Sequence, residues 1–186
     1  MATQKIIKGK KKWFTVVAPE IFKSKELVDI TAYNPEELKG RLVEISMAQI
    51  TGSPKDMQRK IVFKIFDTRG EKVLTTSSKY FMIESFIQRS GRRYKERFIH
   101  VLKIPSKDGK TLEIKWLAMG VKKLHHPIRA ALLNKITEQA KEIFAKYNAE
   151  DIFLPINLDK ISDEVRKATR TIYPMDKLLV YKLKVL

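Results

Sequence analysis

Two apolar-alternating runs, residues 98–104 and 111–121, flank the stretch Ser106-Lys107-Asp108-Gly109, and this pairing restricts the fold more than any other feature. Alternation with period two puts one set of side chains on each face of a strand, and Asp-Gly supplies the backbone freedom of a tight turn. The stretch therefore reads as a long β-hairpin, and the rest of the chain must supply strands to pair with it. Residues 13–18 are a β-branched run ended by Pro19, and 26–32 are a weaker strand candidate. Residues 41–48 alternate, with Val43, Ile45 and Met47 on one face. Residues 60–66 alternate through Ile61, Phe63 and Ile65, turn at Thr68-Arg69-Gly70, and return as 72–77. The last run, 177–186, sets Leu179, Tyr181, Leu183 and Val185 opposite Lys182 and Lys184.

Helical signals interrupt these strands. Asn34-Pro35-Glu36-Glu37 spells one short turn, with a capping residue, proline at the first position and two acids. Between 80 and 89 the period changes, and Met82, Ile83, Phe86 and Ile87 form the stripe of a short helix. Pro127 opens the clearest helix, reaching about residue 147 with Ile128, Leu132, Ile136, Ala140, Ile143, Phe144 and Tyr147 as its buried stripe. Asp159 is expected to cap another helix through Thr171, stopped by Pro174. Many strands joined by tight turns, with helices inserted and appended, predict an α+β fold with an antiparallel, barrel-like β core. With no internal repeat and no low-complexity linker, residues 13–186 are expected to form a single domain.

The charge is unevenly placed. Residues 89–129 carry twelve basic side chains against three acids, and residues 1–12 carry five lysines and no acid, together fourteen of the seventeen net positive charges. Residues 1–12 read as a flexible basic tail. Concentrated positive charge attracts a polyanion, because each neutralised phosphate releases condensed counterions. Arginine forks suit phosphate oxygens and planar rings stack on unpaired bases. The expected RNA-binding residues are Lys8, Lys10, Lys11, Lys12 and Trp13 in the tail and Arg41 at the start of a strand. In the basic segment they are Arg89, Arg92, Arg93, Tyr94, Lys95, Arg97, Lys107, Lys110, Lys122, Lys123, His126 and Arg129.

Catalysis finds no comparable signal. Without cysteine there is no disulfide, thiolate zinc site or cysteine nucleophile, which suits a reducing cytoplasm. His125 and His126 are adjacent, so in an extended segment they point apart, and no third metal ligand stands at suitable spacing. Asp67-Thr-Arg-Gly70 lacks a phosphate-cradling glycine-rich loop and reads as a turn. Asp29, Glu44 and Asp67 lie on separate predicted strands, where acids on polar faces are the ordinary expectation rather than a nuclease cluster. No apolar run is long enough to span a membrane, and no cofactor or small-molecule substrate is expected.

Several short motifs, in order, carry a resemblance. Lys11-Lys12-Trp13 with Ala18-Pro19-x-x-Phe22, then Leu38-Lys39-Gly40-Arg41 and Glu44-Ile45-Ser46-Met47-Ala48, open the series. Gly70 to Leu74-Thr75, Asp108-Gly109, Lys122-Lys123 with Ile128-Arg129, and Ile156-x-x-Asp159 through Lys167-Ala168 to Ile172-Tyr173-Pro174 complete it. Together they resemble the archaeal and eukaryotic small-subunit ribosomal protein family S-three-A-e, also called e-S-one. Lacking the long C-terminal extension of eukaryotic members, the chain looks like the archaeal form. The resemblance implies a structural protein of the small-subunit platform, near the mRNA exit and the rRNA 3′ end, contacting neighbouring ribosomal proteins. It further implies that Lys11, Lys12 and Trp13 anchor the tail and that Lys122, Lys123 and Arg129 meet rRNA. The expectation is a non-catalytic rRNA-binding protein; a free-standing RNA-binding factor or RNA-processing subunit is the alternative.

Overall fold

The computed structural model describes residues 10–91 and 96–186. Eight strands form one sheet: β1 (Lys12–Val17), β2 (Glu26–Ala32), β3 (Leu42–Ser46), β4 (Arg59–Arg69), β5 (Lys72–Met82), β6 (Glu96–Pro105), β7 (Thr111–Gly120) and β8 (Lys177–Val185). The helices are α1 (Met47–Thr51), α2 (Glu84–Gly91), α3 (His126–Phe144) and α4 (Pro155–Thr169). The hairpin read from the sequence is β6–β7, in unbroken antiparallel register from Glu96↔Gly120 to Pro105↔Thr111. The short turn after Asn34 is a 3-10 turn, Pro35–Leu38.

β5 organises the sheet. One edge pairs with β4 over nearly its whole length, while the other is shared by two strands. Its first residues, Lys72 to Leu74, run parallel to β1, and Lys79 to Phe81 run antiparallel to β8. The Thr75 hydroxyl, buried between them, donates to the Val17 carbonyl at 2.7 Å. The sheet therefore forks at β5 and does not close, so the barrel-like core holds only loosely; the α+β class and the mostly antiparallel pairing stand as expected.

Two boundaries differ from expectation for the same reason. Tyr80, Phe81 and Met82 belong to β5 rather than to α2, because β4 pairs with all three and β8, a hundred residues away, pairs with Tyr80 and Phe81 on the other edge. Asp159 is not a cap: α4 begins a turn earlier at Pro155, and the Asp159 carboxylate takes both Arg59 guanidinium nitrogens, at 2.6 and 3.1 Å. Burial pulls the Arg59 guanidinium down, but the bonds to Asp159 leave it above its ordinary value. α1 carries no apolar period of its own and ends on Gly52 in the left-handed region, φ 74°.

The main core lies between the sheet and the α3–α4 pair. From α3 the predicted stripe is present, with Leu132, Ile136, Ala140, Ile143 and Phe144 buried and Ile128 and Tyr147 packed at its margin. Phe144 meets the buried Trp116 ring of β7 edge-on, with centroids 6.4 Å apart. A smaller second core gathers Phe14, Ala32, Leu38, Ile65 and Val73 beneath β1 and β2.

Candidate nucleic-acid interface

Three groups of predicted residues can be placed, and they are not one patch. The first is the start of β1. Lys10, Lys11 and Lys12 are exposed, and Trp13 is 68% exposed although its neighbour Phe14 is buried. Strand alternation fixes this contrast, since the inward position is filled by Phe14. The Lys11 ammonium lies 5.5 Å from the Tyr33 ring centroid. An exposed indole beside three lysines combines a stacking plane with phosphate-seeking charge.

The second group surrounds the segment after β7. Lys122, Lys123, His125 and His126 are exposed, on a backbone tied down at several points. The Tyr173 hydroxyl contacts the amide and the carbonyl of Lys122, each at 3.4 Å. Its ring lies so close to Gly120 that a Cβ there would stand 3.3 Å from it. Glu96, buried at the start of β6, accepts from the Leu124 amide at 3.3 Å and from the Arg129 guanidinium. Arg129 also stacks over Phe98 at 5.2 Å. Its role is thus partly internal: it fastens the start of α3 to β6, which the expectation of a simple RNA contact did not include. Arg97 is exposed beside Glu96 and lies against Gly91, where a Cβ would come within 2.7 Å of its Nη1; Arg89 is exposed in the last turn of α2.

The third group is the β6–β7 turn with Lys107 and Lys110, docked by the Lys107 amide on the Tyr147 carbonyl and by Asp108 on the Ala149 amide. It sits at the far end of the hairpin from Lys122 and Lys123. Nine strand steps at 3.4 Å separate the two ends by about 30 Å. Charge that is contiguous in sequence is therefore divided in space. Arg41 stands apart again, exposed at the start of β3, its carbonyl accepting from Ile65 at 3.0 Å. Lys8, Arg92, Arg93, Tyr94 and Lys95 lie outside the described residues.

Glu96 and Tyr173 position the segment and were not predicted. The available signal for Glu96 was a single acid inside a run of basic residues, 89–97. The three carboxylates of the nuclease pattern are engaged separately: Asp29 accepts from Thr15 at 2.8 Å, Glu44 pairs with Lys60 at 2.6 Å, and Asp67 with Lys39 at 3.3 Å. The Thr68 amide, followed by Lys39, holds the Asp67 carboxyl below its usual range. Among the described residues no group of three or more His, Asp or Glu could hold a metal ion, and no helix is long and apolar enough to cross a membrane.

Comparison with known proteins bears on this arrangement as a whole. Small ribosomal subunit protein eS1 of Saccharolobus islandicus is 26% identical over 176 residues, covering 95% of this chain and 85% of that protein. The protein of the same name from Desulfurococcus amylolyticus is 28% identical over 176 residues, covering 95% and 83%. The family model described as the Ribosomal S3Ae family matches residues 7–186, so the basic segment 89–129, most of the tail, the hairpin and both long helices fall within it, and the chain belongs to that family of ribosomal proteins.

Proposed function

We propose that the protein is a non-catalytic structural constituent of the small ribosomal subunit, binding rRNA at the platform near the mRNA exit and the rRNA 3′ end. Its partners are the small-subunit rRNA, the neighbouring platform ribosomal proteins and mRNA near the exit, and its setting is the cytoplasmic ribosome. The domain is 13–186 and the basic tail 1–12, whose last residue, Lys12, already stands in β1, paired with Ala32. Family membership over 7–186, with relatives named small ribosomal subunit proteins, supports the assembly. The observation that carries the RNA contact is Lys122-Lys123 presented on a backbone that Glu96 and Tyr173 hold fixed. Duplex RNA hides its base edges in a deep groove, so a rigid body bearing lysines reads phosphate geometry and shape.

Co-sedimentation with small subunits through high-salt washes tests this reading. A structural constituent stays with the washed particle at one copy per subunit. Quantitative release into the wash would favour a free-standing RNA-binding factor instead.

A further inference from the structure

The registers of β3, β4, β5, β8, β7 and β6 align two continuous rungs across one sheet face. One rung runs Glu44, Val62, Lys79, Lys184, Glu113, Lys103; the next runs Ser46, Lys60, Phe81, Lys182, Lys115, Val101. The row between them, from Ile45 through Ile61, Tyr80, Leu183 and Ile114, is buried on the opposite side, so the rungs share the other face, where Val62 alone is buried and the remaining rung residues are half-buried or exposed. At 4.8 Å between neighbouring strands each rung is about 24 Å long. Six lysines stand there with two glutamates, and only Lys60–Glu44 at 2.6 Å and Lys115–Glu113 at 3.8 Å are ion pairs between them among the described residues.

Two of the cross-strand pairs are lysine against lysine: Lys79 opposite Lys184, and Lys115 opposite Lys182. Like charges placed directly opposite weaken a sheet. The crowding is felt at Lys182, whose ammonium is held below its ordinary value by burial and then by Lys79 and Lys115. Lys79 also lies over the Phe81 ring, 4.8 Å from its centroid. A face that is self-repelling in the free chain becomes favourable when a polyanion lies along it. The rungs carry no arginine fork, and lysine acts as a point charge without bidentate geometry, so the face suits backbone contact rather than base reading. Protein interfaces are depleted in lysine, whereas nucleic-acid interfaces are strongly positive.

The geometry points to this lysine-rung face of the sheet as a second RNA surface, distinct from the 122–129 segment, which tracks the sugar–phosphate backbone without reading sequence. It rests on the RNA-binding reading above and joins Lys60, Lys79, Lys182 and Lys184, which lie outside both basic segments, to Lys103 and Lys115 of the segment 89–129.

The test measures binding of the full chain to deproteinised small-subunit rRNA across a salt series. The charge-removing variant is Lys79→Gln/Lys182→Gln/Lys184→Gln. Its charge-keeping counterpart carries arginine at the same three positions, and Lys122→Ala/Lys123→Ala marks the other surface. Removal of three phosphate contacts is expected to flatten the log–log salt slope by roughly two to three, and the arginine variant to keep the wild-type slope. The glutamine variant is expected to melt at or above the wild-type temperature, since it relieves repulsion. A wild-type slope for the glutamine variant, with a reduced slope for Lys122→Ala/Lys123→Ala, overturns the sheet face and leaves the RNA-binding reading standing. Absence of salt-dependent binding by the wild type overturns both. A glutamine variant that keeps the RNA slope but loses an acidic protein partner in the washed subunit overturns the RNA assignment of this face.

Discussion

Arg129 and Lys122–Lys123 are neighbours in sequence with different duties, and a single and a double substitution separate them. Arg129 shares Glu96 with the Leu124 amide and lies over Phe98, while the Glu96 side chain is only 10% exposed. Arg129→Ala leaves that carboxylate short of a partner and is expected to lower stability by about 2 kcal/mol. Lys122→Ala/Lys123→Ala removes exposed side chains and is expected to change stability by less than about 0.5 kcal/mol. Chemical denaturation of the two variants checks this, and equal losses would mean that Glu96 does not fasten the segment. His100 supplies a pH-dependent counterpart. Its ring, half-buried with Nε2 2.9 Å from the Thr137 hydroxyl, is pushed by burial below the ordinary 6.5. A base whose folded pKa is depressed binds its proton more readily when unfolded, so its contribution is complete above pH 6.5 and declines as pH falls below it. Thermal melts at pH 7.5 and 5.5 should therefore show a smaller loss for His100→Asn than for wild type. An identical pH dependence would contradict the burial of His100 against α3.

Among the elements, α3 and α4 each join the sheet through apolar contact and an ion pair. α3 is tied at its start by Arg129–Glu96 and packs most closely where Phe144 meets Trp116. Trp116→Ala opens a cavity in that contact and is expected to cost about 3–5 kcal/mol in urea unfolding. A loss under 1 kcal/mol would mean that the helix does not seal the core there. α4 adds the bidentate Arg59–Asp159 pair, with the Arg59 side chain only 14% exposed. Asp159→Asn keeps the shape, removes the charge and is expected to cost about 1–2 kcal/mol by the same measurement. This pair also shows what was legible and what was not. The strong periods, 98–104 with 111–121 and the stripe from Leu132 to Phe144, are local and were readable from spacing. Met82 opens a helical stripe in sequence yet, with Tyr80 and Phe81, sits in β5, because β4 and β8 supply strand partners that the fold fixes. Asp159 has the chemistry of a cap, and only the proximity of Arg59, a hundred residues earlier, gives it another role.

For the whole molecule, the strand order decides where the charge goes. The sequence shows basic residues concentrated in 89–129, but the hairpin carries Lys107 and Lys110 to one end, Lys122 and Lys123 to the other, and leaves Lys103 and Lys115 along its length. Lys79, Lys182 and Lys184 lie outside that segment, and only the pairing of β5, β8, β7 and β6 brings them onto one face with Lys103 and Lys115. A residue list drawn from local charge density finds the tail and the 122–129 segment and misses the sheet face, since strand partners are not encoded locally. Lysine thus stands at the start of β1, at the 122–129 segment, at the β6–β7 turn and on the sheet face. The measurement that tests this most directly is crosslinking of the native protein in purified small subunits, mapping the joined nucleotides and peptides together. Crosslinks are expected from the tail, from Lys122 and Lys123, and from the sheet-face lysines to rRNA of the platform. Absence of the protein from washed subunits, or crosslinks only to scattered free RNAs, would contradict that expectation.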